Sequence, residues 1–209
     1  MRGVLLALEG VDRCGKTTQA ARLAETLRQR GHTVETWRFP DRTTATGKLL
    51  DAYLSRAAEM DGRVAHLLFS ANRWEKADQL LRTLQRGVHV LLDRYAYSGV
   101  AFSAAVNQLD IDWCRATERG LPAPDRVFYL DVSPAAAAAR GGYGGERYES
   151  VPLQEQVRRV FLEHLYDAGR WHVVPADGSV EQVHQQLLPL VLECVEAAEH
   201  HNTPVGTLW

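Results

Sequence analysis

Residues 10–17 read Gly-Val-Asp-Arg-Cys-Gly-Lys-Thr, a fit to GxxxxGK[ST]. The run follows the apolar stretch 4–9. It precedes a segment in which Ala20, Leu23, Ala24 and Leu27 recur at helical spacing and Gly31 calls a stop. A strand, a glycine-rich turn and a helix in that order constrain the fold more than any other feature. The glycines let the backbone wrap a phosphate with several N–H groups pointing inward, and the helix N-terminus adds positive potential. Lys16 supplies a point charge for the outer phosphates, and Thr17 a hydroxyl for Mg²⁺. A chance match in a chain of this length is roughly a one-percent event. The plainer reading is a glycine-rich turn with an exposed lysine; the strand before it and the helix after it favour the phosphate loop.

Four further β-rich apolar runs lie at 33–39, 88–93, 126–132 and 171–175. Several are apolar on both faces, as parallel strands covered by helices on both sides are. Helical patterns separate them. One runs from about residue 64 to 86 with Leu67, Leu68, Ala71, Leu80, Leu81 and Leu84 on its apolar side, and another from 152 to about 168. The last starts at Ser179 with Gln182 as a capping box, and Pro189 is expected to kink it. This alternation predicts one doubly wound α/β domain over residues 1–209, with its ligand crevice at the carboxyl ends of the strands. A net charge of −2 leaves no basic excess for nucleic acid or an anionic membrane. The three cysteines, Cys14, Cys114 and Cys194, form no CxxC. Together with the absence of a targeting segment or a membrane-length apolar run, they point to an intracellular, cytoplasmic protein.

Other motifs cluster around phosphate chemistry. Asp93-Arg94-Tyr95 closes the run 88–93, so a carboxylate at a strand tip faces the crevice beside the phosphate loop. Asp93 there suits a water-mediated Mg²⁺ contact, and Arg94 a second clamp on phosphate charge. Arg13 stands inside the phosphate loop, where a guanidinium can bridge donor and acceptor like an arginine finger in cis. Its plainer reading is a solvated surface arginine. Arg38-Phe39-Pro40-Asp41-Arg42 closes the second run, and Arg42 at that turn suits a second phosphate. Phe69 and Arg73 share a helical face, one turn apart, which suits stacking a base and reading its edge. Residues 140–149 hold four glycines, with Arg140 and Arg147, and read as a mobile lid over about 133–150.

The strings LEGVDRCGKTTQ, RFPDRTTATGKLL, LLFSANRWE, DRYAYSGVAFSAA, GLPAPD, ERYE and the tail PVGTLW together resemble thymidylate kinases, in the form found in eukaryotes and some of their large DNA viruses. The resemblance implies a nucleoside monophosphate kinase-like P-loop fold with a five-stranded parallel sheet and a homodimer. It also implies transfer of the ATP γ-phosphoryl to dTMP, giving dTDP and ADP, with Mg²⁺. By motif match, Gly10, Val11, Asp12, Arg13, Cys14, Gly15, Lys16, Thr17 and Thr18 would hold the donor. Lys16, Arg13 and Arg94 would stabilise the moving phosphoryl, and Asp12 would meet the sugar 3′-hydroxyl. Thr17 and Asp93 would serve the metal. Arg42 and Arg94 would hold the dTMP phosphate, Phe69 would stack on thymine, and Arg73 would reach its carbonyl edge. Phe39, Leu54, Gly99, Phe102, Tyr148 and Gln154 would complete the pocket, Tyr148 crowding the position of a ribose 2′-hydroxyl. The chain departs from the pattern at Cys14, where a smaller residue is expected, at Asp41, where glutamate is usual, and in its glycine-richer lid.

Within enzymes the alternative is a deoxynucleoside kinase or another pyrimidine nucleoside monophosphate kinase. Arg42 and Arg94 favour an acceptor that already carries a phosphate. A GTP-driven switch would require NKxD, which the sequence lacks.

Overall fold

The computed structural model describes residues 1–200 and 203–209. Five strands, β1 (Leu5–Glu9), β2 (Val34–Arg38), β3 (His89–Asp93), β4 (Arg126–Asp131) and β5 (Trp171–Pro175), form a parallel sheet in the order β2-β3-β1-β4-β5. The central strand pairs Leu6 with Leu91 on one side and with Arg126 on the other. After β1 the chain fills one half of the sheet, and after β3 it crosses to the other. The crevice above β1 is therefore the topological switch point where α/β sheets bind ligands.

Strand alternation explains the layers. Leu5 and Ala7 of β1 face one side, with Val90, Leu92, Val127, Tyr129 and Trp171. That side is covered by α3 (Gly62–Gln85), α4 (Ala96–Asn107) and α7 (Val151–Val160). Leu6 and Leu8 face the other side with Leu91, Phe128 and Leu130. There they meet Leu23 and Leu27 of α1 (Lys16–Gln29) and Leu187, Val191 and Val195 of α8 (Val180–His200). Every residue of β1 is buried, Glu9 included.

The chain departs from its periodicity in two places. Leu67 belongs to the expected apolar side of α3 but is 47% exposed, while His66, Ser70, Asn72 and Arg73 are buried. The first half of α3 thus turns a polar face inward, towards the crevice. The helix expected over 152–168 is α7 followed by a π turn, Phe161–Leu165, which buries Phe161 and Leu165. The capping box holds: the Ser179 amide donates to Gln182 Oε1 at 2.8 Å, and the Gln182 amide to Ser179 Oγ at 3.2 Å. Pro189 lies inside α8 without ending it.

Three further helices fill the gaps: α2 (Ala45–Leu54), α5 (Ile111–Ala116) and α6 (Pro134–Ala138). Of these, α6 opens the expected lid, and residues 139–150 continue it as turns. The tail returns to the body. Leu208 is buried, its amide donates to Leu121 O at 2.8 Å, and it accepts from the Gly120 amide at 3.1 Å. No described helix is long and apolar enough to cross a membrane.

Candidate active site

The phosphate loop leaves β1 at Gly10 (φ 143°) and enters α1 through Gly15 (φ 108°), conformations that side chains rarely adopt. Lys16 is buried, its Nζ donating to Gly10 O at 3.1 Å and Val11 O at 2.7 Å. The ammonium thus lies folded over its own loop. Cys14 is also buried, with its Sγ 3.2 Å from that Nζ.

The tip of β3 meets the start of α1. Thr17 Oγ1 donates to Asp93 Oδ2 at 2.5 Å, so a hydroxyl and a carboxylate converge at one point. Arg94 follows at φ 69°, in the left-handed region where a non-glycine residue stores strain. Its guanidinium ion-pairs with Asp12, donates to Gly10 O at 3.2 Å and to Ser98 Oγ at 3.1 Å, and lies 5.2 Å from the Phe102 ring centre. Burial works against its charge, but Asp12, Asp93 and Glu9 outweigh that and raise its pKa.

Glu9 was not legible as a functional residue. It is fully buried and accepts from the Tyr95 amide at 2.9 Å, the Ser98 amide at 3.2 Å and Ser98 Oγ at 2.5 Å. Burial pushes its pKa up, against these bonds and the Arg94 charge. Its signal was a carboxylate ending an otherwise apolar strand.

Arg13 sits at φ 61° and points into the lid. It donates to Glu149 Oε1 at 2.9 Å and to Gly142 O. Glu149 in turn accepts from the amides of Gly144 at 2.8 Å and Glu146 at 3.1 Å, so one carboxylate gathers the glycine-rich turns. Arg42 bonds Asp51 at 2.7 Å and Glu146 at 2.6 Å. Of the lid arginines, Arg140 reaches Arg13 O at 3.0 Å and Ala176 O at 2.6 Å, beside the phosphate loop. Arg147 turns away, to Glu59 at 2.8 Å and over the Tyr53 ring.

A cavity of about 880 Å³ joins these groups. Asp12 to Thr18, Arg42, Asp93 and Arg94 line one part of it; Phe39, Leu54, Phe69, Arg73, Gly99, Phe102 and Tyr148 line another. Three expected residues stand behind the wall. Gly10 and Val11 shape the loop. Gln154 accepts from the Asp12 amide at 2.8 Å and donates to the Asp12 carboxylate at 2.6 Å. Loop residues Ala176, Gly178 and Ser179, between β5 and α8, also line the cavity, from a stretch too generic in sequence to single out. Asn72 fixes the Arg42 turn, accepting from the Asp41 amide at 2.7 Å and donating to Thr44 Oγ1 at 2.9 Å.

The family model described as Thymidylate kinase matches residues 8–187, most of the chain. The chain belongs to the thymidylate kinase family. It is 48% identical over 208 residues to the thymidylate kinase of Arabidopsis thaliana, covering 100% of this chain and 78% of that one. It is 44% identical over 209 residues to that of Homo sapiens, covering 100% and 98%. Among solved structures, the thymidylate kinase of Candida albicans superposes with a TM-score of 0.87 at 34% identity, covering 100% of this chain and 99% of that one. Membership of this family makes the chain an ATP-dependent phosphotransferase and settles the choice left open with deoxynucleoside kinases.

Proposed function

We propose that the cavity transfers the γ-phosphoryl of ATP to dTMP, giving dTDP and ADP. The observation that carries this reading is one cavity lined by a phosphate loop, a second arginine pair and an aromatic–guanidinium pocket. The loop, with Lys16 and Thr18, takes the donor phosphates. Arg42 and Arg94 take the acceptor phosphate. Phe69 stacks on the base and Arg73 faces its carbonyl edge. Tyr148, whose hydroxyl donates to Tyr53 at 3.1 Å, is packed too firmly to yield to a 2′-hydroxyl.

The chemistry needs no protein nucleophile. Phosphoryl transfer of this kind rests on positioning and on positive charge around the moving group. Arg13 and Arg94 approach it from the loop and from β3, and Asp12 orients the sugar through its bond to Gln154. Thr17 and Asp93 supply hard oxygen donors, which fit Mg²⁺ carried mainly by the nucleotide's phosphates. Bound there, Mg²⁺ would neutralise charge on the β- and γ-phosphate oxygens. We further read the protein as a homodimer working inside the cell, a setting that suits its three free cysteines.

Steady-state turnover with ATP and dTMP, dUMP, dCMP or thymidine tests the reading. dTMP should be preferred, dUMP poorer but real, and thymidine not phosphorylated. Arg42→Ala should raise the KM for dTMP and leave that for ATP nearly unchanged. Robust turnover of thymidine, or equal effects of Arg42→Ala on both KM values, would overturn it.

A further inference from the structure

The expected base reader, Arg73, is not free to choose its orientation. It is 3% exposed, and its Nε donates to Glu118 Oε2 at 2.8 Å while Nη2 bonds Glu118 Oε1. Glu118 is fully buried. This side-on fork spends two of the three guanidinium nitrogens on one carboxylate. Among the described residues, Nη1 has no hydrogen-bond partner, and Arg73 lines the cavity. A base edge in that cavity therefore meets the Nη1 end of a guanidinium locked along its opposite side.

The residues around the pair hold Glu118 rather than Arg73. Glu118 lies in the turn after α5, and three α3 side chains fasten that turn. His66 Nε2 bonds Thr117 Oγ1 at 2.9 Å, Ser70 Oγ donates to Thr117 O at 2.9 Å, and Trp74 Nε1 donates to the same carbonyl at 2.8 Å. The C-terminal tail braces the turn from outside through the Gly120–Leu208 bond. On the other side α4 closes in: a Cβ on Gly99 would lie 2.4 Å from Arg73 Nη2. The guanidinium is thus confined between a fixed carboxylate and a glycine backbone.

We propose that Glu118 is a positioning residue that sets base selectivity, by holding Arg73 so that Nη1 is presented to the 4-position of a pyrimidine. The inference rests on the reading that Arg73 faces the base edge. A rigid donor is satisfied by a 4-carbonyl and left unpaired against a 4-amino group. A floppy guanidinium swings aside and loses that discrimination, because a donor that can turn to water pays little for a mismatch.

Kinetics on purified enzyme test it, with kcat and KM for dTMP, dCMP and ATP in wild type, Glu118→Gln, Glu118→Asp and Arg73→Ala. Glu118→Gln keeps the shape and removes the charge. It should raise the KM for dTMP about tenfold and shrink the dTMP-to-dCMP ratio of kcat/KM by a similar factor, the loss expected when a charged hydrogen bond goes. The KM for ATP should not move. Glu118→Asp, which restores the charge on a shorter arm, should recover part of the ratio, and it carries the test if the glutamine variant does not fold. The proposal falls if the folded Glu118 variants show only a lower kcat or a lower active fraction, with the dTMP KM and the base ratio unchanged. If Arg73→Ala itself leaves the ratio unchanged, the underlying reading of Arg73 falls, and the role of Glu118 with it. A ratio that moves in Arg73→Ala but not in the Glu118 variants overturns the positioning role alone.

Discussion

At the scale of single residues, the site is built from arginines held by carboxylates. Arg13 meets Glu149, Arg42 meets Asp51 and Glu146, Arg73 meets Glu118, and Arg94 meets Asp12. Each guanidinium is thereby oriented before any phosphate or base arrives, and orientation in place is what electrostatic catalysis requires. The pairs differ in burial. Arg73 and Glu118 are shielded from water, whereas the Arg13 side chain is 40% exposed and can exchange its partner for a phosphate. Arg13→Ala should therefore act on the chemical step. We expect kcat to fall by about 10³-fold or more, as removal of an arginine finger does, with the KM for ATP little changed. A fall of less than about tenfold, near 1.4 kcal/mol, would show that Arg13 only fastens the lid.

At the scale of elements, α3 departs most from its periodicity. Its buried face carries His66, Ser70 and Arg73 where an apolar stripe was expected, because that face supports the crevice and the Thr117–Glu118 turn. His66 is held on both ring nitrogens, with Nε2 3.1 Å from Cys114 O and Nδ1 2.8 Å from Ser103 Oγ. Burial, then the Arg73 charge, lowers the His66 pKa from its usual 6.5 despite the opposing pull of Glu118. The sign follows: the unfolded chain takes up a proton at His66 more readily than the native one. The stability tied to a neutral imidazole is thus full above pH 6.5 and is lost as the pH falls through the lowered native value. Thermal melts across that range should show this loss in wild type and a shallower one in His66→Gln. Parallel profiles would mean that His66 titrates alike in both states.

At the scale of the whole molecule, the five-stranded order brings three distant stretches of chain to one crevice: the phosphate loop after β1, the Arg42 turn after β2 and the Asp93–Arg94 pair after β3. The lid closes over them from beyond β4. On the outside, α3 leaves Val64 at 47%, Leu67 at 47% and Trp74 at 42% exposed. These side chains lie on one side of the helix, and we propose this face as the one a second copy of the chain covers. Light scattering on size-exclusion fractions should give a dimer mass for wild type and a shift towards monomer for Leu67→Glu, since a charge is costly inside an apolar interface. A monomeric wild type would remove that role from α3.

How much of this was legible depends on the range of the interaction. The phosphate loop, the five strands and the capping box at Ser179 are local patterns, written within a few residues of each other, and each appears where the sequence places it. The residue types that line the cavity were legible for the same reason: a glycine-rich loop, a strand-ending Asp-Arg and an aromatic one turn from an arginine each carry their chemistry in adjacent positions. Among the carboxylates that orient the arginines, Glu118 and Glu149 carry no such mark. Glu118 lies 45 residues from Arg73, and Glu149 136 residues from Arg13. Nothing in the spacing couples them, and in the unfolded chain each is an ordinary solvated glutamate. The tertiary fold brings them together, and for Arg73 and Glu118 burial then makes the pairing obligatory, because an unpaired charge in that interior is too costly to keep. Leu67 shows the converse. Local period alone assigns it to the core, and only the packing of α3 with its polar face over the crevice turns it outward.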